Sequence, residues 1–157
     1  MRAVIQRVLS SNVSVDGEIV GEIGKGFNIL LGVVEGDTAA EATLLAAKIS
    51  KLRIFEDENE KMNLSILDVA GEALVISQFT LCADCRAGNR PSFASSAAPD
   101  EAKKLYEFFI SELERLGIKK TAHGIFAADM RVEIINDGPV TIILDSDIYK
   151  QSMRGAK

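Results

Sequence analysis

Ser77-Gln78-Phe79-Thr80-Leu81 and Asn136-Asp137-Gly138-Pro139-Val140-Thr141 are the two segments of this sequence whose residue types offer chemistry that their surroundings do not explain away. The first puts two hydroxyls and a carboxamide at the end of an apolar run. Such groups can orient a substrate or a water, or they can simply satisfy the backbone where a strand ends. The second sets a Gly-Pro bond between two apolar runs. A plain hairpin turn accounts for it by spacing alone. X-Pro is, however, the one bond whose cis form is cheap. A cis bond here would aim two carbonyl oxygens the same way, as a rigid polar wall of main chain.

The other reactive side chains are weaker candidates. His123 is the sole histidine, and nothing in Thr121-Ala122-His123-Gly124 supports a Ser-His-Asp arrangement, so it reads as a structural strand residue. Cys82 and Cys85 have C-x-x-C spacing, but they follow a strand and enter a loop instead of opening a helix after a βαβ pattern. A zinc site would need two further ligands. They read as ordinary loop thiols, with a cysteine-dependent enzyme as the alternative. Glu56, Asp57, Glu58 and Glu60 fit a solvated turn better than an acid–base pair. No Walker A or G-x-G-x-x-G pattern occurs, and neither a metal nor a cofactor is expected.

The elements that would position the two segments are legible from patterning. Residues 2–9 and 12–15 are rich in Val and Ile, Asp16-Gly17 is a hairpin signal, and 18–23 follow as its partner. Phe27 to Val34 is nearly all apolar, as in a strand buried on both faces. Thr38 with Glu41 fits a capping box that opens a helix over 38–51. A short strand is predicted at 52–55, an exposed turn at 56–60 and a central strand over 73–81. Residues 82–96 read as a loop. A second helix starts at Pro99, with Asp100 and Glu101 at its positive end and Gly117 at its close. Its predicted buried stripe is Leu105, Phe108, Phe109 and Leu113. Strands at 129–136 and 140–146 flank the Gly-Pro segment. Strands that do not alternate with helices indicate α+β: a curved, mostly antiparallel, barrel-like sheet with two main helices. One domain over 1–157 is expected, with 148–157 a flexible tail.

Bulk properties narrow the class. Hydrophobic residues are 47% and charged residues 26%, an ordinary globular composition. A net charge of −5 argues against a broad grip on duplex DNA, but not against a narrow contact with one RNA end. The opening residues lack a signal-peptide core and no apolar run approaches membrane-spanning length, so a cytoplasmic protein away from membranes is expected.

Four motifs in order give a specific match. Met1-Arg2-Ala3-Val4-Ile5-Gln6-Arg7-Val8, Ser77-Gln78-Phe79-Thr80-Leu81, Gly88-Asn89-Arg90-Pro91-Ser92-Phe93 and Asn136-Asp137-Gly138-Pro139-Val140-Thr141 resemble the D-aminoacyl-tRNA deacylase family from Met1 to about Asp147. The resemblance implies hydrolysis of D-aminoacyl-tRNA, and of glycine mischarged on tRNA(Ala), as chiral proofreading in translation. It implies a homodimer with its active sites at the subunit interface and the tRNA acceptor end as partner. Ser77, Gln78, Phe79 and Thr80 would line one side of each pocket. Gly138 and Pro139, joined in cis, would enter from the other subunit and reject L-residues. Phe126 and Met130 would hold the terminal adenosine, and the ribose 2′-hydroxyl would help activate the water. A trans Gly-Pro variant with relaxed chirality is one alternative, disfavoured by Arg7 and Ser77-Gln78; a non-catalytic dimeric module binding RNA ends is another. Two positions depart from the family pattern: Ala127 stands where a glycine is common, and Ala87 where a lysine is common.

Overall fold

The computed structural model describes residues 1–149. Its organising element is one long strand, β1 (Arg2–Val15), because the two predicted strands at 2–9 and 12–15 run into each other. One edge of β1 pairs antiparallel along its whole length with β8 (Arg131–Asp145). The other edge is shared. Arg2 to Val8 pair with β3 (Gly26–Gly32), and Ser11 to Val15 pair with β2 (Glu18–Ile23). The sheet then continues in parallel through β6 (Glu72–Ser77) to β7 (Lys120–His123). A Cβ placed on Gly21 of β2 would lie 2.7 Å from the His123 carbonyl of β7, so the two ends of the sheet nearly meet. The result is an α+β fold with a nearly closed, curved sheet. Most of its pairings are antiparallel, as expected (β1 with β2, β3 and β8), while β3–β6 and β6–β7 are parallel. A small hairpin of β4 (Phe55–Glu56) and β5 (Met62–Leu64) stands apart. The predicted strand at 52–55 is thus confined to its last residue.

β3 and β6 are buried on both faces, which explains their nearly unbroken apolar runs, interrupted in β3 by the buried Asn28. Phe27, Ile29 and Leu31 of β3 join Ala73 and Val75 of β6 in the larger core, beneath the helices. Leu74 and Ile76 point the other way, into a smaller core with Val8, Val13 and Ile23 inside the curved sheet. Helix α1 (Ala39–Ser50) begins at a complete capping box of Thr38 and Glu41, and it buries Leu45 and Ile49. Helix α2 (Pro99–Arg115) starts with Pro99, and Gly117 (φ +92°) turns the chain away after it. Its buried stripe is rotated from the predicted one: Tyr106, Phe109, Ile110 and Leu113 face inward, while Phe108 is exposed. Tyr106 can be buried because its hydroxyl donates to the Val75 carbonyl at 2.8 Å. Burial pushes that phenol well above its ordinary pKa, so it stays a donor.

After β8 the chain enters a helical turn at 146–149. Tyr149 packs on the larger core, with the Lys48 ammonium 5.0 Å from its ring. The remainder of the predicted tail, 150–157, lies outside the described residues. Among the described residues no helix is long and apolar enough to cross a membrane.

Candidate functional site

The first segment is not a strand end as predicted. β6 stops at Ser77, and Phe79–Cys82 form a single 3-10 turn. The Gln78 amide still donates to Leu31 of β3, and the first bond of the turn runs from the Leu81 amide to the Gln78 carbonyl. The amides of Phe79 and Thr80 therefore lie between ladder and turn, where the first donors of a helix have no partner within it. The Gln78 side-chain Nε2 donates to Thr80 Oγ1 at 2.5 Å. That bond occupies a lone pair of the hydroxyl and leaves its proton free to be donated. Phe79 is exposed, and its ring meets Phe93 edge-on at 5.0 Å.

Ser77, Gln78 and Phe79 open onto a cavity of about 520 Å³, and Phe126 and Met130 line the same cavity. The structure thus brings together five of the six residues predicted to come from one chain. Thr80 does not line the cavity and reaches it only through Gln78. Phe126 is backed by Tyr106, ring centre to ring centre 5.9 Å. Met130 lies so close to Gly124 that a Cβ there would collide with its Sδ. Pro99 and Ala102 of α2 and Leu31 and Val33 at the end of β3 complete the wall. Sequence reasoning missed these. The run of small residues from Ala94 to Ala98, ahead of a proline-started helix, was the available signal for a wall there. No residue lining the cavity carries a titratable side chain.

Ala127 also lines this cavity, with φ +63°. The alanine keeps the left-handed backbone that a glycine would adopt. An L-residue there costs about 1–2 kcal/mol, and the greater freedom of glycine in the unfolded chain offsets about 0.4–1 kcal/mol. Ala127→Gly is therefore expected to raise stability by about 0.5–1 kcal/mol and Tm by roughly 1–4 °C, read in a thermal melt. An unchanged or lower Tm would contradict a left-handed backbone at 127.

The second segment is not a hairpin turn. Gln6 pairs with Thr141 and Val8 with Asn136, so residues 137–140 bulge out opposite the single residue Arg7 while β8 continues on both sides. Asn136 Oδ1 accepts from the Val140 amide across the bulge. The Gly138–Pro139 bond is cis, and both residues are exposed. Gly138 has φ +128°, and a Cβ on it would meet Val140 Cγ2 at 2.7 Å and Arg7 Nη2 at 3.2 Å. Only glycine fits. Arg7 is nearly buried beneath the bulge. It donates to the carbonyls of Ile54 (2.7 Å) and Asp137 (3.2 Å), with the Asp137 carboxylate at 3.3 Å and that of Glu56 at 3.6 Å. Within one chain neither Gly138 nor Pro139 lines the cavity.

The residues set aside on sequence stand elsewhere. His123 Nδ1 donates to the Gly124 carbonyl at 2.8 Å, and His123 faces a neighbouring cleft. Cys82 is buried, and burial raises its thiol pKa, which suits a packing role and not a thiolate nucleophile. Cys85 is exposed and unpaired. Asp57 caps its own turn by accepting from the amides of Asn59 and Lys61.

A family model described as D-Tyr-tRNA(Tyr) deacylase matches residues 4–145. The chain belongs to this deacylase family. Curated relatives named D-aminoacyl-tRNA deacylase include one from Clostridium beijerinckii, 58% identical over 146 residues, covering 93% of this chain and 97% of that protein. Another, from Persephonella marina, is 60% identical over 146 residues, with 93% and 98% covered. A solved structure described as c-Myc DNA Unwinding Element Binding Protein superposes with a TM-score of 0.86 at 40% identity, over 92% of this chain and 98% of that one. A second, described as a probable eukaryotic D-amino acid tRNA deacylase, shares the fold with a TM-score of 0.78 at 15% identity, over the same shares of the two chains. The segments matched by the deacylase model include both the 3-10 turn and the bulge.

Proposed function

We propose that this chain hydrolyses the ester between a D-amino acid and the terminal ribose of tRNA, working as a homodimer. The observation that carries the reading is the cavity of about 520 Å³ that joins Ser77-Gln78-Phe79 to Phe126 and Met130 while containing no titratable side chain. Aromatic and thioether walls suit a purine. Hydrolysis needs a site for the developing oxyanion and an activated water. The amides of Phe79 and Thr80, between the β6 ladder and the turn, serve as oxyanion donors, and the Thr80 hydroxyl acts through the Gln78 carboxamide that it holds at the cavity. With no base in the wall, the ribose 2′-hydroxyl assists the water. The water oxygen bonds to the ester carbon, the bond to ribose O3′ breaks, and the water proton ends on O3′.

Selectivity comes from the bulge of the partner subunit. The carbonyl oxygens of its Gly-Pro pair form a wall beside the substrate α-carbon. An L-residue drives its Cβ into that wall, a D-residue points away, and glycine has nothing to clash. Discrimination by exclusion leaves the side chain unread, so D-residues of many kinds and glycine on tRNA(Ala) are substrates. Crowding against a rigid wall costs about 1–3 kcal/mol, which is up to about 10²-fold in rate. Purified protein given matched D- and L-aminoacyl-tRNA is expected to release the D-residue about 10²-fold faster, and glycine at an intermediate or equal rate. Equal cleavage of both enantiomers would refute the wall. Tight binding of D-aminoacyl-tRNA that stays intact would refute the enzyme and favour a binding module.

A further inference from the structure

Beside the adenosine cavity lies a second cleft of about 440 Å³, and the two share Phe126. Its floor is apolar: Tyr106 and Ile110 are nearly buried, and Ile125 stands at the rim 47% exposed. Its polar lining holds two carboxylates against one ammonium, with His123 and Ser111 beside them. Glu107 and Glu114 project from exposed positions of α2, with the Lys103 ammonium 3.9 Å from Glu107.

We propose that this cleft is a subsite for the base of the nucleotide preceding the terminal adenosine, and that it prefers cytosine. The proposal rests on the adenosine reading of the first cavity. A strand whose last base occupies one side of Phe126 carries its neighbouring nucleotide past that ring. An apolar floor with polar groups at its edge is the form that takes a planar base. The charge decides which part of the nucleotide enters. Two carboxylates repel phosphate, so the base faces them and the sugar-phosphate stays outside, with Lys103 at the margin. Carboxylates accept from the exocyclic amine of cytosine. Uracil presents a carbonyl oxygen at that position and is repelled. Every tRNA ends in the same cytidine-cytidine-adenosine, so such a subsite recognises the acceptor end without choosing among tRNAs.

The test uses three non-hydrolysable amides of one D-amino acid, on adenosine, on cytidylyl-adenosine and on uridylyl-adenosine, titrated calorimetrically into the intact protein. The cytidylyl compound is expected to bind about tenfold more tightly than the adenosine compound, and the uridylyl compound to lose most of that gain. The double variant Glu107→Gln/Glu114→Gln is expected to abolish the preference for C over U while leaving the adenosine compound's affinity unchanged, which also reports intact folding. An adenosine compound that binds while cytidine adds nothing overturns the subsite alone. A gain from cytidine that uridine matches overturns the cytosine preference. Failure of all three compounds to bind overturns the adenosine reading and the subsite together.

Discussion

A D-aminoacyl-tRNA whose terminal ribose lacks its 2′-hydroxyl is expected to be hydrolysed at least about 10²-fold more slowly than the natural substrate, with little change in binding. The magnitude is that of a lost general-base contribution, about 10²–10⁴-fold. The cavity wall offers no base. Its side chains are aliphatic or aromatic, a thioether, hydroxyls and one carboxamide. The only histidine lies in the neighbouring cleft with Nδ1 held by Gly124, and the buried thiol of Cys82 is held in its neutral form. Thr80 Oγ1 already accepts from Gln78, which makes it a donor and a poor base. On the proposed reading the base comes with the substrate, as the ribose hydroxyl next to the ester. Single-turnover kinetics on matched 2′-hydroxy and 2′-deoxy substrates separate this from a binding effect. Equal rates would sink the substrate-assisted mechanism and return attention to a protein group.

How much of this site could be read from the sequence depended on the range of the forces that set it. The capping box of Thr38 and Glu41 and the proline start of α2 are local, and both helices were legible. The double burial of Phe27 to Leu31 was legible because a strand covered on both faces has no polar alternation to show. The end of β6 was not, since Phe79 and Leu81 continue an alternating pattern while the chain has already turned. The bulge at 137–140 was hidden for a different reason. Its turn-like residues are the same in a hairpin, and only pairing with β1, some 130 residues away, keeps β8 running straight through. The rotated stripe of α2 turned on one hydroxyl finding the Val75 carbonyl. The two candidate segments were visible as motifs, and the walls supplied by Pro99 and Ala102 were not, because alanine and proline carry no chemistry that advertises a site.

Arg7→Ala is expected to lower stability by about 3 kcal/mol, a Tm fall of roughly 6–12 °C, and to raise cleavage of L-aminoacyl-tRNA relative to D. The guanidinium is 5% exposed and joins two distant loops through the carbonyls of Ile54 and Asp137. Truncation leaves both carbonyls without their donor and opens a void in place of a long side chain. The lost ion pairs contribute less, because the Asp137 and Glu56 carboxylates are 34% and 53% exposed and water takes over. Arg7→Lys should fall between, since one ammonium on a flexible stem cannot reproduce a planar fork that reaches Ile54 and Asp137 in fixed directions. The functional consequence follows from where the brace sits. Arg7 holds the start of the bulge through the Asp137 carbonyl and carboxylate, so removing Arg7 frees the bulge to move. A wall that excludes L-residues must be rigid to about the size of a methyl group. A loosened wall yields to an L-side chain but changes little for a D-residue pointing away from it. Thermal melts and the D/L ratio on the same variants test the two halves separately. A large fall in Tm with an unchanged D/L ratio would mean that chirality is sensed somewhere other than the bulge. An unchanged Tm would mean that Arg7 does not brace it.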